Sequence, residues 1–194
     1  VTEIVFDDAS HTYRVDGAIW PGVTQVLDPI NELDGIPRAA LAAAAEFGRH
    51  VHMACDLFNR RMLDDASLDP ALRPYLDGWL AFLRDTQAEV LESEMVVHHP
   101  GLRYCGTVDA IVKWRGRHHV VDIKTSAAVP RTVGPQTAAY REAYLQSHLA
   151  CSNTRYCVHL TGDGKYRLVK LTDPADMSMF VSCLNIHRWR NRNG

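Results

Sequence analysis

Residues 107–125 constrain this chain most, because they read as two strands folded back on each other at Arg115-Gly116. With those two residues as the turn, Trp114 faces Arg117. Pairing backward then sets Asp109 opposite Asp122 and Thr107 opposite Lys124. Residues two apart on a strand share a side. One side of the hairpin therefore carries Asp109, Asp122 and Lys124. The other carries Val108, Ala110, Val112, Val121 and Ile123, an apolar set suited to burial against a helix. Directly opposed residues have Cβ atoms about 4.5–5.5 Å apart, where like charges repel. Two carboxylates so placed need a proton on one of them or a cation between them, and a hard divalent ion, Mg2+ or Mn2+, meets that need. Lys124 would then steady a nucleophilic water or the charge developing on a phosphate. A plainer reading fits the same residues: an Asp-Lys surface ion pair beside a solvated Asp109, or a bulge that shifts the register.

The chain has 194 residues, 46% of them apolar, enough for one domain with a core of its own. A formal charge of −2 excludes the blanket basicity of a nucleic-acid coating protein but permits one local basic groove. No run approaches the roughly 20 apolar residues of a membrane span, and the first residues read as a strand rather than a leader. The expectation is a cytoplasmic protein with no membrane partner. Cys55, Cys105, Cys151, Cys157 and Cys183 form no C-x-x-C pair, which argues against a zinc ribbon or an iron–sulfur cluster and for reduced, buried thiols.

Periodicity and turn residues predict strands over 3–6 and 11–15, a short helix over 23–27, an alanine-rich helix over 38–61 and a helix beginning at Asp69-Pro70. A Val-rich strand over 89–98 precedes the hairpin. A helix from Pro135 to about His148, strands over 155–160 and 166–171, and a last helix after Asp173-Pro174 follow. The class is α/β, with a mixed central sheet flanked by helices. It forms a single domain, with a hairpin and short helix in 1–36, a catalytic core in 37–150 and further strands and a helix in 151–194.

Four motifs occur in order: Gly48-Arg49-His50-Val51-His52, Gly106-Thr107-Val108-Asp109, Asp122-Ile123-Lys124 and Gln136-Thr137-Ala138-Ala139-Tyr140. This set resembles the G-x-x-x-H, G-x-x-D, D-x-K and Q-x-x-x-Y motifs of the RecB-like branch of PD-(D/E)XK nucleases. The amino-terminal pattern from His11-Thr12-Tyr13 to Val23-Thr24 resembles phage-borne members. The resemblance implies a restriction-endonuclease-like core and a Mg2+- or Mn2+-dependent deoxyribonuclease, exonuclease in type, serving DNA recombination, repair or phage DNA processing. It implies that His52, Asp109, Asp122 and the Ile123 carbonyl hold the metal. Lys124 acts in catalysis with Asp109 and Asp122, and Gln136 and Tyr140 stand at the site's rim, where they position phosphates or orient Lys124.

Each motif keeps a second reading. Gly48 and His52 share a helix face, where Gly48 lets the helix approach the sheet and His52 is either a ligand or a core-edge residue. Gln136 and Tyr140 fit an amphipathic helix with Tyr140 packed as core. Glu94 reads as a solvated strand residue, although relatives often carry a glutamate there. His98-His99 and His118-His119 read as solvated. The tail over 187–192, three arginines with Trp189, suits either phosphate contact or a basic helix end. A different class of function is a silent nuclease-fold module for DNA binding or assembly, and another is a hydrolase of other phosphoesters. No P-loop occurs, so a helicase would be a separate chain. The substrate groove can be closed by a helicase, recombinase or single-strand-binding partner, or by a second copy of the chain.

Overall fold

The structure is a computed structural model that describes residues 2–7, 10–31, 35, 37–148 and 150–192. Parts of the 7–10 turn and of the loop before Pro37 lie outside those residues. The chain opens with an antiparallel meander of β1 (Ile4–Asp7), β2 (Thr12–Val15) and β3 (Ala18–Trp20). Strand β3 was not expected. Asp16 and Gly17, at φ of 48° and 80°, turn the chain tightly enough for three more residues to pair with β2.

Helices α1 (Val23–Leu27), α2 (Arg38–Asn59) and α3 (Arg73–Thr86) follow. The last begins later than expected. The Asp69 carboxylate accepts the Ala71 N–H at 2.8 Å and the Asp69 carbonyl accepts that of Leu72, so Asp69-Pro70 forms a turn ahead of the helix.

The main sheet has five strands in the order β4 (Glu89–His99), β5 (Tyr104–Trp114), β6 (Arg117–Lys124), β7 (Arg155–Leu160) and β8 (Tyr166–Leu171). Pairing is antiparallel except between β6 and β7, which are parallel. A parallel pair needs a crossover, supplied by α4 (Val133–Leu145). Helix α5 (Asp176–Arg190) ends the fold.

Helices cover both faces. Leu76, Trp79 and Phe82 of α3, with Val51 and Cys55 of α2, pack on Ala110, Val112, Val121 and Ile123. Burying Phe82 alone contributes roughly 1.5–3 kcal/mol, and the Trp79 indole N–H is satisfied by the Asn59 amide oxygen at 2.9 Å. Tyr140 and Tyr144 of α4 and Phe180 and Leu184 of α5 cover Ile111 and Val120 on the opposite face.

The hairpin register holds from Trp114↔Arg117 to Ala110↔Val121. Both turn residues take left-handed backbone, Arg115 at φ 51° and Gly116 at 72°, and the Arg115 guanidinium lies over the Trp114 ring at 4.9 Å. Beyond Ala110 the ladder stops. Asp109 with Asp122 and Thr107 with Lys124 are not ladder partners, contrary to the simple register. Val108 also departs from expectation, since it joins the core under α1 and α4 while Ala110 stays under α2 and α3. The strict alternation fails at Asp109. It fails across the ladder too: Ser93↔Ala110 and Met95↔Val108 flank an unpaired Glu94, whose φ is +49°.

Candidate active site

Where the two strands part, the Asp109 side chain fills the gap. Its Oδ2 accepts the Ile123 backbone N–H at 2.6 Å, replacing the ladder bond that a regular hairpin would offer. Its Oδ1 lies 3.4 Å from His52 Nδ1, which reaches in from α2. The same nitrogen is 3.7 Å from Glu94 Oε1, while His52 Nε2 is 3.0 Å from the Ile123 carbonyl oxygen. Both ring nitrogens thus face acceptors. Burial works against a charged imidazole, but the Asp109 charge and the bonds to Asp109 and Glu94 outweigh it and hold His52 up at about 10. Burial also pushes the Asp109 carboxyl up, yet His52, Lys124 and the Ile123 N–H together bring it below its usual range.

Glu94 was read as solvated, and the structure corrects this. Left-handed backbone is uncommon for a glutamate and costs on the order of 1–3 kcal/mol. Here it brings the carboxylate to His52 and Asp109. Burial first, and then the Asp109 charge, raise its pKa against the pull of His52. Nothing in the residue type announces the turn. The usable signal was Glu94's place opposite Asp109 in the β4–β5 register.

Asp122 and Lys124 form a second pair. The ammonium lies 2.9 Å from Asp122 Oδ1 and 2.8 Å from Oδ2, and the carboxylate is fully buried. Burial lifts this carboxyl to about 6, with Lys124 opposing and Asp109 adding to the rise. For Lys124, burial favours the neutral amine, but Asp122 and Asp109 win and its pKa rises. Asp122 Oδ2 makes no hydrogen bond, since the ammonium approaches it outside bonding geometry.

These residues fit a divalent cation. The donor atoms of His52, Glu94 and Asp109 all lie within 4.8 Å of one another, a group able to hold a metal ion. One imidazole with carboxylate oxygens suits a hard or borderline ion. The ring's far N–H resting on a backbone carbonyl is the usual support of a ligating histidine. The assembled set differs from the expected one in three ways: Glu94 joins it, Asp122 stands outside it, bound to Lys124, and the Ile123 carbonyl engages His52.

Gln136 and Tyr140 were expected at the site's rim or, for Tyr140, packed as core, and both are buried. The Gln136 amide donates to the Tyr140 hydroxyl at 3.1 Å. Gly106 makes the room, since a Cβ there would stand 2.5 Å from the Tyr140 ring. Burial, then the nearby Asp109 charge, raises the Tyr140 pKa. Gly48 does not have the close-packing role expected of it, because an added Cβ would meet only Thr125 Oγ1 at 3.5 Å. Three of the four paired histidines are held by hydrogen bonds rather than solvated. His99 accepts the Leu102 N–H, and His118 and His119 bond to the Tyr144 hydroxyl and the Thr154 carbonyl. All five thiols are free, four of them buried and Cys151 half-buried. In the tail, Arg188 donates to the Leu102 carbonyl and Trp189 is exposed. No helix among the described residues is long and apolar enough to cross a membrane.

No protein-family model and no curated protein matches the chain. Among solved structures, SSO0001 is similar at a TM-score of 0.46 and 16% identity, over 88% of this chain and 75% of that one. LHK-Exo in complex with dAMP gives 0.42 at 15% identity, over 88% and 87%. An alkaline exonuclease (LHK-Exo) from Laribacter hongkongensis gives 0.37 at 15%, over 89% and 91%. Scores below 0.5 leave the chemistry of this chain to its own atoms.

Proposed function

We propose that this chain is a metal-dependent nuclease of the RecB-like PD-(D/E)XK type, a single domain that hydrolyses phosphodiester bonds in DNA. The reading extends to exonuclease action in recombination, repair or phage DNA processing. One observation carries it: His52, Glu94 and Asp109, from three separate elements, converge beside a buried Asp122–Lys124 pair.

His52 Nδ1 and the carboxylates of Glu94 and Asp109 are the proposed ligands. Mg2+ or Mn2+ bound there would polarise the scissile phosphate and lower the pKa of an attacking water. The chain's own contribution is positioning. The Ile123 carbonyl fixes the His52 ring, and the Ile123 N–H fixes the Asp109 carboxylate. Asp122 keeps Lys124 charged and aimed, so that its ammonium offsets negative charge gathering on phosphate oxygens. Tyr140 and Gln136 support the floor beneath Asp109.

The test is incubation of linear DNA with the purified protein, with Mn2+, with Mg2+ and with EDTA, resolved on a gel. Cleavage in either metal and none in EDTA is expected. Binding without metal-dependent cleavage would overturn the nuclease reading.

A further inference from the structure

Register carries the site's charge sideways across the sheet. Lys124 on β6 pairs with His159 on β7, and His159 pairs with Arg167 on β8. Laterally paired residues share a face, so Lys124, His159 and Arg167 form one row from the site to the sheet's open edge. At about 4.8 Å per strand the row spans roughly 10 Å. His159 is fixed in it, its Nε2 lying 2.6 Å from the carbonyl of Ser126, just past Lys124.

The row ends at a groove of about 740 Å3 between β8 and the loop leading into α4. Arg131 from that loop, and Arg167 and Lys170 from the two faces of edge strand β8, line it. All three are exposed, and none has a carboxylate partner among the described residues. Asp173 and Asp176 also line the groove, but both are engaged. Asp173 accepts the Ala175 N–H at 2.8 Å, and Asp176 is bound by Arg155 at 2.6 Å. Basic residues on an edge strand also discourage strand addition. That need would not bring Arg131 in from a separate loop.

We infer that this groove binds the sugar-phosphate backbone of a nucleic-acid strand flanking the reacting bond, through Arg131, Arg167 and Lys170. The inference rests on the nuclease reading and extends it to a path across β7 and β8. A strand advances about 3.4 Å per nucleotide in a duplex, so the row from Lys124 to Arg167 is about three nucleotides long. Three cations free of internal ion pairs match phosphates along such a strand. Contacts of this kind position a substrate without reading its sequence.

The experiment measures fluorescence anisotropy of a labelled 20-nucleotide oligo-dT and of a 20-base-pair duplex, in EDTA, at several salt concentrations. Wild type is compared with a triple variant carrying Arg131→Ala, Arg167→Ala and Lys170→Ala, and with a control carrying Lys113→Ala and Arg117→Ala at the hairpin end. Melting temperatures verify that all remain folded. Expected is binding roughly tenfold or more weaker in the triple variant on at least one probe. The slope of log K against log salt should become shallower by about one per cation removed. The control should match wild type. If wild type binds DNA and the triple variant binds both probes with unchanged affinity and slope, the groove assignment is wrong while the nuclease reading stands. If wild type neither binds nor cleaves DNA, the nuclease reading fails first.

Discussion

The Asp109 carboxylate occupies the place of a ladder bond, taking the Ile123 N–H at 2.6 Å where β5 and β6 separate. One side chain therefore both closes the fold and faces the proposed metal. The two roles can be separated. Asp109→Asn keeps an oxygen that can accept the Ile123 N–H but removes the charge that holds His52 up, so it should lose less stability than Asp109→Ala while cleavage falls at least 100-fold. Asp109→Ala orphans that N–H and should also lose about 1–3 kcal/mol of stability in urea unfolding. Full cleavage by purified Asp109→Asn would remove Asp109 from the site.

Glu94 holds left-handed backbone to bring its carboxylate to His52. Glu94→Gln should weaken Mn2+ binding, seen as a smaller metal-induced rise in melting temperature. Glu94→Gly adopts the same φ without strain and should leave the metal-free protein within about 1 kcal/mol of wild type, or above it, despite the lost side chain. An unchanged Mn2+ response in Glu94→Gln would exclude it as a ligand.

Proton release should accompany metal binding. His52 is held up at about 10, so at pH 7 it is protonated, and ligation through Nδ1 must displace that proton. Mn2+ affinity should therefore climb from pH 6 to 9, and the calorimetric enthalpy should vary with the buffer's ionisation enthalpy, consistent with about one proton released. Without metal the sign reverses. A raised imidazole pKa stabilises the fold fully below pH 6.5, and that contribution fades as pH climbs to about 10. Metal affinity flat across this range would show that His52 does not ligate.

Two glycines of the sequence motifs should respond oppositely to alanine. At Gly106 the new methyl would stand 2.5 Å from one Tyr140 ring carbon and 3.1 Å from Val23 Cγ2, so Gly106→Ala should cost about 1–3 kcal/mol. At Gly48 it meets only Thr125 Oγ1 at 3.5 Å, inside a helix, and Gly48→Ala should gain roughly 0.5–1 kcal/mol. Thermal melts of both variants decide the matter. Equal destabilisation would contradict the packing described at Gly48.

Much of this was legible in residue order. Two-residue periodicity and the Arg115-Gly116 turn gave the hairpin pairing down to Ala110↔Val121, and β7 and β8 fall on either side of the Gly162-Asp163-Gly164 turn, where they were expected. Helix starts were harder, because Asp69-Pro70 serves a turn as readily as a cap. The site was legible as a neighbourhood but not as a geometry. Strand separation at Asp109 and left-handed backbone at Glu94 arise from tertiary competition for one backbone N–H and one imidazole, which no local propensity encodes. The depth of Tyr140 likewise depends on a vacancy at Gly106, a fact about two distant positions at once.

The meander formed by β1, β2 and β3 is stitched to the centre of the chain: Cys105 N–H donates to the Pro21 carbonyl, and the Tyr13 hydroxyl lies 2.9 Å from Thr107 Oγ1, two residues from Asp109. During synthesis those early residues must therefore wait for partners about ninety positions downstream. A nascent chain halted before β6 would hold only the residues of α1, α2 and α3 among its helices and would lack Asp122, Lys124 and all of α4, so acquisition of the site should be a late, all-at-once event on the ribosome.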